Sequence, residues 1–100
     1  MLSTPVILTV AGSDCSGGAG IQADIKTISA LKGYAASVIT AVTAQNTVEV
    51  QAVYPIPPDI VRMQTESVMD DLQPAAVKIG MVHNAAIVRA IAECLQRFRP

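Results

Sequence analysis

The sequence predicts a three-layer α/β fold, with a parallel sheet carrying helices on both faces. Three observations lead there. Apolar runs rich in β-branched residues alternate with stretches whose apolar residues recur every three or four positions. One of those runs, residues 34–44, carries no charge at all, as a strand covered on both faces requires. Finally, the first run breaks into a glycine-rich turn directly ahead of a helical stretch, the opening of a strand–helix–strand unit.

Taken in order, Val6-Ile7-Leu8-Thr9-Val10-Ala11 is the first strand, and it meets Gly12 abruptly. Gly12, Gly17, Gly18 and Gly20 follow within nine residues. Glycine permits backbone angles and close approaches that a Cβ blocks. Helix one runs from about Gly20 to Leu31, with Ile21, Ile25, Ile28 and Leu31 facing the sheet, Lys26 and Lys32 in water, and Gly33 as its stop. Tyr34 to Ala44 is the central strand, joined to the first by a right-handed crossover.

Gln45-Asn46 ends that strand, and residues 47–52 alternate as a short peripheral strand, an edge or a flap. Pro55-Ile56-Pro57-Pro58 closes it. Helix two starts at Pro58 or Asp59, carries Val61, Thr65, Val68 and Leu72 flanked by Ile60 and Met69, and stops at Pro74. Residues 75–81 form a short strand and turn. Asn84 caps helix three, whose stripe is Val88, Ile91, Leu95 and Phe98, widened by Ile87 and Cys94.

Composition narrows the function. Of 100 residues, 51% are apolar and 15% charged, which excludes disorder. Seven basic residues against eight acidic ones, with no long run, give no footprint for nucleic acid. The apolar stretches fall far short of the roughly 20 residues of a membrane-spanning helix. Two cysteines, Cys15 in the loop and Cys94 in a helix, do not make a disulfide scaffold, so a reducing cytoplasm is expected. Only one histidine, His83, is present, and no Cys or His cluster surrounds it, so no metal site is expected. The chain ends just after a helix, where another parallel strand should follow. The expectation is therefore the N-terminal part of a longer domain, with open sheet edges that make the isolated piece marginal.

Chemistry concentrates at the strand ends: Gly12-Ser13-Asp14, Gln45-Asn46 and Gly80-Met81. In open α/β sheets the carboxyl ends of the strands line the ligand crevice. The glycine spacing is neither the dinucleotide fingerprint nor a Walker A loop. It offers bare backbone and a helix start to an anion or polar ligand, or it is simply a tight turn. Gln45 can read a ring nitrogen and an adjacent amine together, or bond only to local backbone. Asp24 can accept from a ligand amine or hydroxyl, or act as a first-turn carboxylate stabilised by the helix dipole. Met81 is either a soft wall against a ring or core filler. Lys78, in an apolar strand, should reach the rim or pair with a carboxylate.

Three separated segments, Ala-Gly-Ser-Asp-Cys-Ser-Gly-Gly-Ala-Gly-Ile-Gln-Ala-Asp-Ile-Lys-Thr (11–27), Val-Ile-Thr-Ala-Val-Thr-Ala-Gln-Asn-Thr (38–47) and Val-Lys-Ile-Gly-Met (77–81), closely resemble the hydroxymethylpyrimidine/phosphomethylpyrimidine kinases of thiamine biosynthesis. The resemblance implies a Rossmann-like, ribokinase-like domain of which residues 1–100 are the N-terminal part. It implies transfer of phosphate from Mg-ATP to 4-amino-5-hydroxymethyl-2-methylpyrimidine and its monophosphate, in a cytoplasmic homodimer. Gly12, Ala19 and Asp24 match the family's pyrimidine pocket, Gln45 the group that reads the ring, and Thr43 and Met81 its lining. The family's catalytic base, anion hole and most of its ATP site fall beyond residue 100, so no residue here is expected to be catalytic. Lys32 stands where the family commonly has small residues, and His83 follows the Met81 turn. Two alternatives remain: a pyridoxal/pyridoxine kinase of the same superfamily, and a non-catalytic small-molecule binding module.

Overall fold

A computed structural model describes residues 4–98. Its elements are β1 (Val6–Asp14), α1 (Gly20–Ala30), β2 (Tyr34–Gln45), β3 (Val50–Pro55), α2 (Pro58–Asp71), β4 (Ala76–Ile79) and α3 (Ala85–Phe98). The four strands form one sheet in the order β3-β2-β1-β4. β1 pairs in parallel with β2 and with β4, whereas β3 runs antiparallel to β2 at the edge. The sheet is thus mixed, and the expected all-parallel reading holds for β1, β2 and β4 only.

Alternation along β1 sorts its side chains between two helical layers. Leu8 and Val10, with Val38 of β2, pack against Val61 and Met69 of α2 and Ile87 and Ile91 of α3. Thr9, between them in sequence, points to the other face, where its hydroxyl meets Asp24 of α1. Helices therefore cover both faces. The chain leaves β1 for β2 on one side and returns to β4 on the other, so the strand order reverses at β1.

Several terminators differ from expectation in instructive ways. Helix α1 ends at Ala30, one residue early, and Leu31 lies at the cap, 78% exposed rather than on the buried stripe. The left-handed residue that closes the helix is Lys32 (φ 67°), not Gly33. Lys32 N–H donates to the Ser29 carbonyl at 3.0 Å and Gly33 N–H to the Ile28 carbonyl at 2.9 Å, the paired bonds of a Schellman ending. Gly33 serves a different need: a Cβ there would stand 2.9 Å from Ile28 Cγ2.

Helix α2 begins as expected, with Pro58 and Asp59 in its first turn. Its fully buried stripe is Val61, Thr65 and Met69, with Val68 and Leu72 partly covered. Gln64 accepts from Ile39 N–H (2.9 Å) and donates to Ile39 C=O (3.0 Å), serving backbone of β2 just before pairing with β3 begins at Ala41. Asn84 caps α3, its Oδ1 accepting from Ile87 N–H at 2.9 Å. Ile87, Ala90, Ile91 and Cys94 are the buried side of that helix, and Val88 is exposed.

The peripheral strand comes later than its alternation suggested, at Val50–Pro55. Asn46 explains the delay. Its Oδ1 accepts from both Val48 and Glu49 N–H (2.9 and 3.0 Å), turning residues 46–49 into a tight loop.

Lys32 occupies a backbone region that costs a non-glycine residue about 1–2 kcal/mol, partly offset by glycine's larger loss of freedom on folding. Lys32→Gly should therefore raise unfolding stability by about 0.5–1 kcal/mol, and Gly33→Ala should lower it. Urea midpoints of the two variants check this, and a destabilising Lys32→Gly would contradict it.

Candidate ligand site at the strand ends

The carboxyl ends of β1, β2 and β4 meet the start of α1 around an open cavity of about 270 Å³. Its position is the point where strand order reverses, the place that open α/β sheets use for ligands. Among its lining residues are Gly12, Ala19, Thr43, Gln45 and Met81, five of the six anticipated from sequence. Asp24 is not among them. Ser13, Asp14, Gly20, Lys78 and Gly80 line the cavity as well.

Two irregularities in the ladders shape this rim. Register slips between β1 and β2 at Ala11/Ser13, and between β2 and β3 at Ala44/Gln45. Each inserts an extra residue and turns the strand end, as bulges beside binding sites do. Gly12 sits at the first slip, and a Cβ there would stand 2.8 Å from Met81 Cε. Gly20 (φ 60°) is more tightly constrained, since its Cβ would run into the Gly12 carbonyl.

The glycine loop is organised by Asp14. Its Oδ1 accepts from Ser16 N–H (2.9 Å) and Ser16 Oγ (2.7 Å), and its Oδ2 from Gly18 N–H (3.1 Å) and Ala19 N–H (2.8 Å). The Ser16 hydroxyl, the Gln45 amide and these backbone donors hold its carboxyl at about 2, below an ordinary 3.8, against the opposing effect of desolvation. The loop N–H groups of Gly18 and Ala19 thus serve an internal carboxylate. Of the two readings of the glycine loop, a cradle for an anion or polar ligand and a tight turn, these bonds supply the internal ties of a tight turn.

Gln22 links the next layer, accepting from Asp14 N–H (2.8 Å) and donating to Ser13 Oγ (2.8 Å). Thr43 Oγ1 donates to the Ser13 carbonyl at 2.9 Å, tying β2 to the same loop. Cys15 sits beside Gln45, its thiol donating to the Gln45 carbonyl (3.1 Å) and accepting from Gln45 N–H (3.3 Å). Thr40 Oγ1 donates to the Met81 carbonyl at 2.7 Å and places that side chain at the mouth. Lys26, exposed as expected, donates to the Gly17 carbonyl at 2.9 Å.

Asp24 stands behind the lining. Lys78 Nζ donates to both of its oxygens (3.0 and 2.9 Å), and Thr9 Oγ1 donates to Oδ2 at 2.6 Å. Burial pushes the Asp24 carboxyl up, but Thr9 and Lys78 together outweigh it and leave it below its ordinary value. Lys78 therefore comes between Asp24 and the cavity. The sequence signal for this was present in a lone lysine within an apolar strand; its partner was not identifiable. His83 (φ 67°) is exposed and lies outside the lining. Cys94 is buried, as expected, and burial raises its thiol.

No described helix is long and apolar enough to cross a membrane. Among the described residues, no three His, Cys, Asp or Glu side chains cluster to hold a metal ion.

Comparison with known proteins adds an independent line. The profile of the phosphomethylpyrimidine kinase family matches residues 14–100. The hydroxymethylpyrimidine/phosphomethylpyrimidine kinase of Escherichia coli is 58% identical over 92 residues, covering 92% of this chain and 35% of that protein. A Salmonella typhimurium protein of the same description is 59% identical over 90% of this chain and 34% of its own length. The chain thus spans about a third of these relatives. The crystal structure of phosphomethylpyrimidine kinase from Clostridium difficile superposes with a TM-score of 0.94 at 52% identity, over 97% of this chain and 42% of that one. Pyridoxal kinase from Staphylococcus aureus, in complex with AMP-PCP and pyridoxal, gives 0.85 at 33% identity, over 96% and 36%.

Asp14 ionises more readily in the folded loop than in an unfolded chain, so its contribution to stability is complete above about pH 4 and is lost as pH falls towards about 2. The amide resonances of Gly18 and Ala19 should shift through that window and cease to titrate in Asp14→Asn. Amides that stay flat from pH 4 to 2 in the wild type would refute the carboxylate's role.

Proposed function

The chain belongs to the phosphomethylpyrimidine kinase family, and from that premise we propose that it forms the acceptor-binding part of an ATP-dependent kinase. The acceptors are 4-amino-5-hydroxymethyl-2-methylpyrimidine and its monophosphate, in the supply of thiamine diphosphate. Residues 1–100 are read as the N-terminal part of one kinase domain, consistent with relatives nearly three times as long. The observation that carries the reading is the convergence of Gly12, Ala19, Thr43, Gln45 and Met81 on one cavity, although they come from three separate segments.

In this reading the ring lies against the bare backbone at Gly12 and Ala19, with Met81 as an apolar wall. The Gln45 amide supplies a donor and an acceptor side by side, matching a ring nitrogen and its neighbouring amine. Cys15, through its two bonds to the Gln45 backbone, keeps that amide at the rim. The work of this part of the enzyme is then positioning: it holds the hydroxymethyl group for in-line attack on a phosphoryl group.

ATP and Mg²⁺ belong to the proposed reaction, yet the side chains of this chain do not fit them. The carboxylates at and behind the wall are already engaged, Asp14 by four donors and Asp24 by Lys78 and Thr9. Gly18 and Ala19 N–H, the natural phosphate donors of such a loop, point to Asp14. A pyridoxal kinase of the same fold is the second reading; higher identity to the pyrimidine kinases (52% against 33%) favours the first.

Replacing Gln45 by Ala in the intact enzyme should weaken hydroxymethylpyrimidine binding by about ten- to a hundredfold and leave nucleotide affinity unchanged. Titration calorimetry with each ligand checks this. An unaltered pyrimidine affinity would remove the assignment.

A further inference from the structure

The polarity of the cavity at β4 is the reverse of what Asp24 alone suggests. Its carboxylate does not face the ligand space. Lys78, which pairs with that carboxylate, is among the residues that do line it. A lysine on a short, mostly exposed edge strand would ordinarily sweep a wide volume of solvent. This one is held at both Asp24 oxygens, at 3.0 and 2.9 Å, although half of its side chain (52%) stays exposed. Asp24 is itself only 18% exposed and is fixed from beneath by the Thr9 hydroxyl, on a fully buried residue of β1. Three elements, β1, α1 and β4, thus combine to keep one charged tip in place.

An ammonium has three N–H donors and no acceptor. Two of those donors are directed at Asp24, and one remains. Next to it, Gly80 clears the way: a Cβ there would stand 3.3 Å from Nζ and 3.0 Å from the Ala11 methyl. Gln45 closes the cavity from β2, which lies on the opposite side of β1 from β4. The two residues are also offset along the strands, since Lys78 pairs with Thr9 whereas Thr43, two residues before Gln45, pairs with Asp14, so they bound the cavity at different points of its length.

We propose that Lys78 donates a hydrogen bond to an acceptor atom on the far edge of the ring ligand, and that Asp24 and Thr9 are positioning residues that aim it. This rests on the acceptor-site reading above. If Gln45 pairs with one ring nitrogen and the adjacent amine, the acceptors left on the pyrimidine are its second ring nitrogen and the hydroxymethyl oxygen. Lys78 selects for a ligand that presents one of them. As a donor it meets an acceptor, whereas Asp24 by itself would accept from a ligand amine or hydroxyl.

The test measures equilibrium binding to the intact enzyme of three probes: 4-amino-5-hydroxymethyl-2-methylpyrimidine, its 5-methyl analogue lacking the hydroxyl, and its analogue with CH in place of the second ring nitrogen. Lys78→Met should weaken the parent compound about ten- to a hundredfold. That penalty should vanish for one of the two analogues, which identifies the acceptor. Lys78→Gln, retaining a neutral donor, should recover part of the loss, and Asp24→Asn should add nothing to Lys78→Met. An equal penalty on all three probes, or none on any, overturns the proposal while leaving the acceptor site intact. Failure of the wild type to bind the parent compound would overturn the site reading and this proposal together.

Discussion

The Asp14 carboxylate is the constraint on which the ligand end of the molecule depends. It closes β1, and by accepting four hydrogen bonds it converts a run of glycines and serines into a loop with one shape. Such a run is flexible on its own, because glycine loses more freedom on folding than any other residue. The bonds to Gly18 and Ala19 bring the start of α1 over the end of β1, where Gly20 rests on the Gly12 carbonyl. From that contact the rest follows: Ser13 is presented to Gln22 and Thr43, and Cys15 to Gln45. The cavity is the space left over when these ties are made.

This arrangement explains the unequal legibility of the sequence. The strand ends could be read because they obey a rule of open sheets that depends only on strand order and direction. Gly12, Gln45 and Met81 share a rim for that reason, whatever their local chemistry, whereas Ala19 and Thr43 were anticipated only through the family resemblance. Asp14 and Asp24 could not be sorted in the same way. Both lie near a helix start, and which one faces the ligand depends on where the backbone N–H groups and Lys78 point. Sequence spacing carries no such directional information across the 54 positions separating Asp24 from Lys78.

Element boundaries were legible where a single residue controls them and not where two compete. Asn84 marks its helix through a side-chain acceptor, and Pro58 with Asp59 places the start of α2 to within one residue through a fixed φ. At the end of α1, Lys32 and Gly33 both stand where a left-handed residue is wanted. Glycine is the natural choice for that angle, yet Gly33 is taken by the close approach to Ile28, and the strained angle falls to Lys32. The edge strand shows a similar competition. Residues 47–49 alternate well enough to pair, but the Asn46 side chain claims two of their N–H groups before a partner strand can.

The charge arrangement of the cavity has a consequence for the chemistry. Asp14, Asp24 and Lys78 all stand at or just behind its wall, yet each carboxylate already has its counter-charge or donors within the protein. A pocket whose charges are internally compensated exerts little net pull on a phosphate or a metal ion. What it leaves free is the pattern of unengaged donors and acceptors and the apolar surface of Met81. Such a pattern rejects a wrong ligand by leaving a buried group unpaired, which costs more than a correct hydrogen bond returns. The charges at these strand ends are matched within the fold, and what they present to the cavity is hydrogen-bonding pattern and shape.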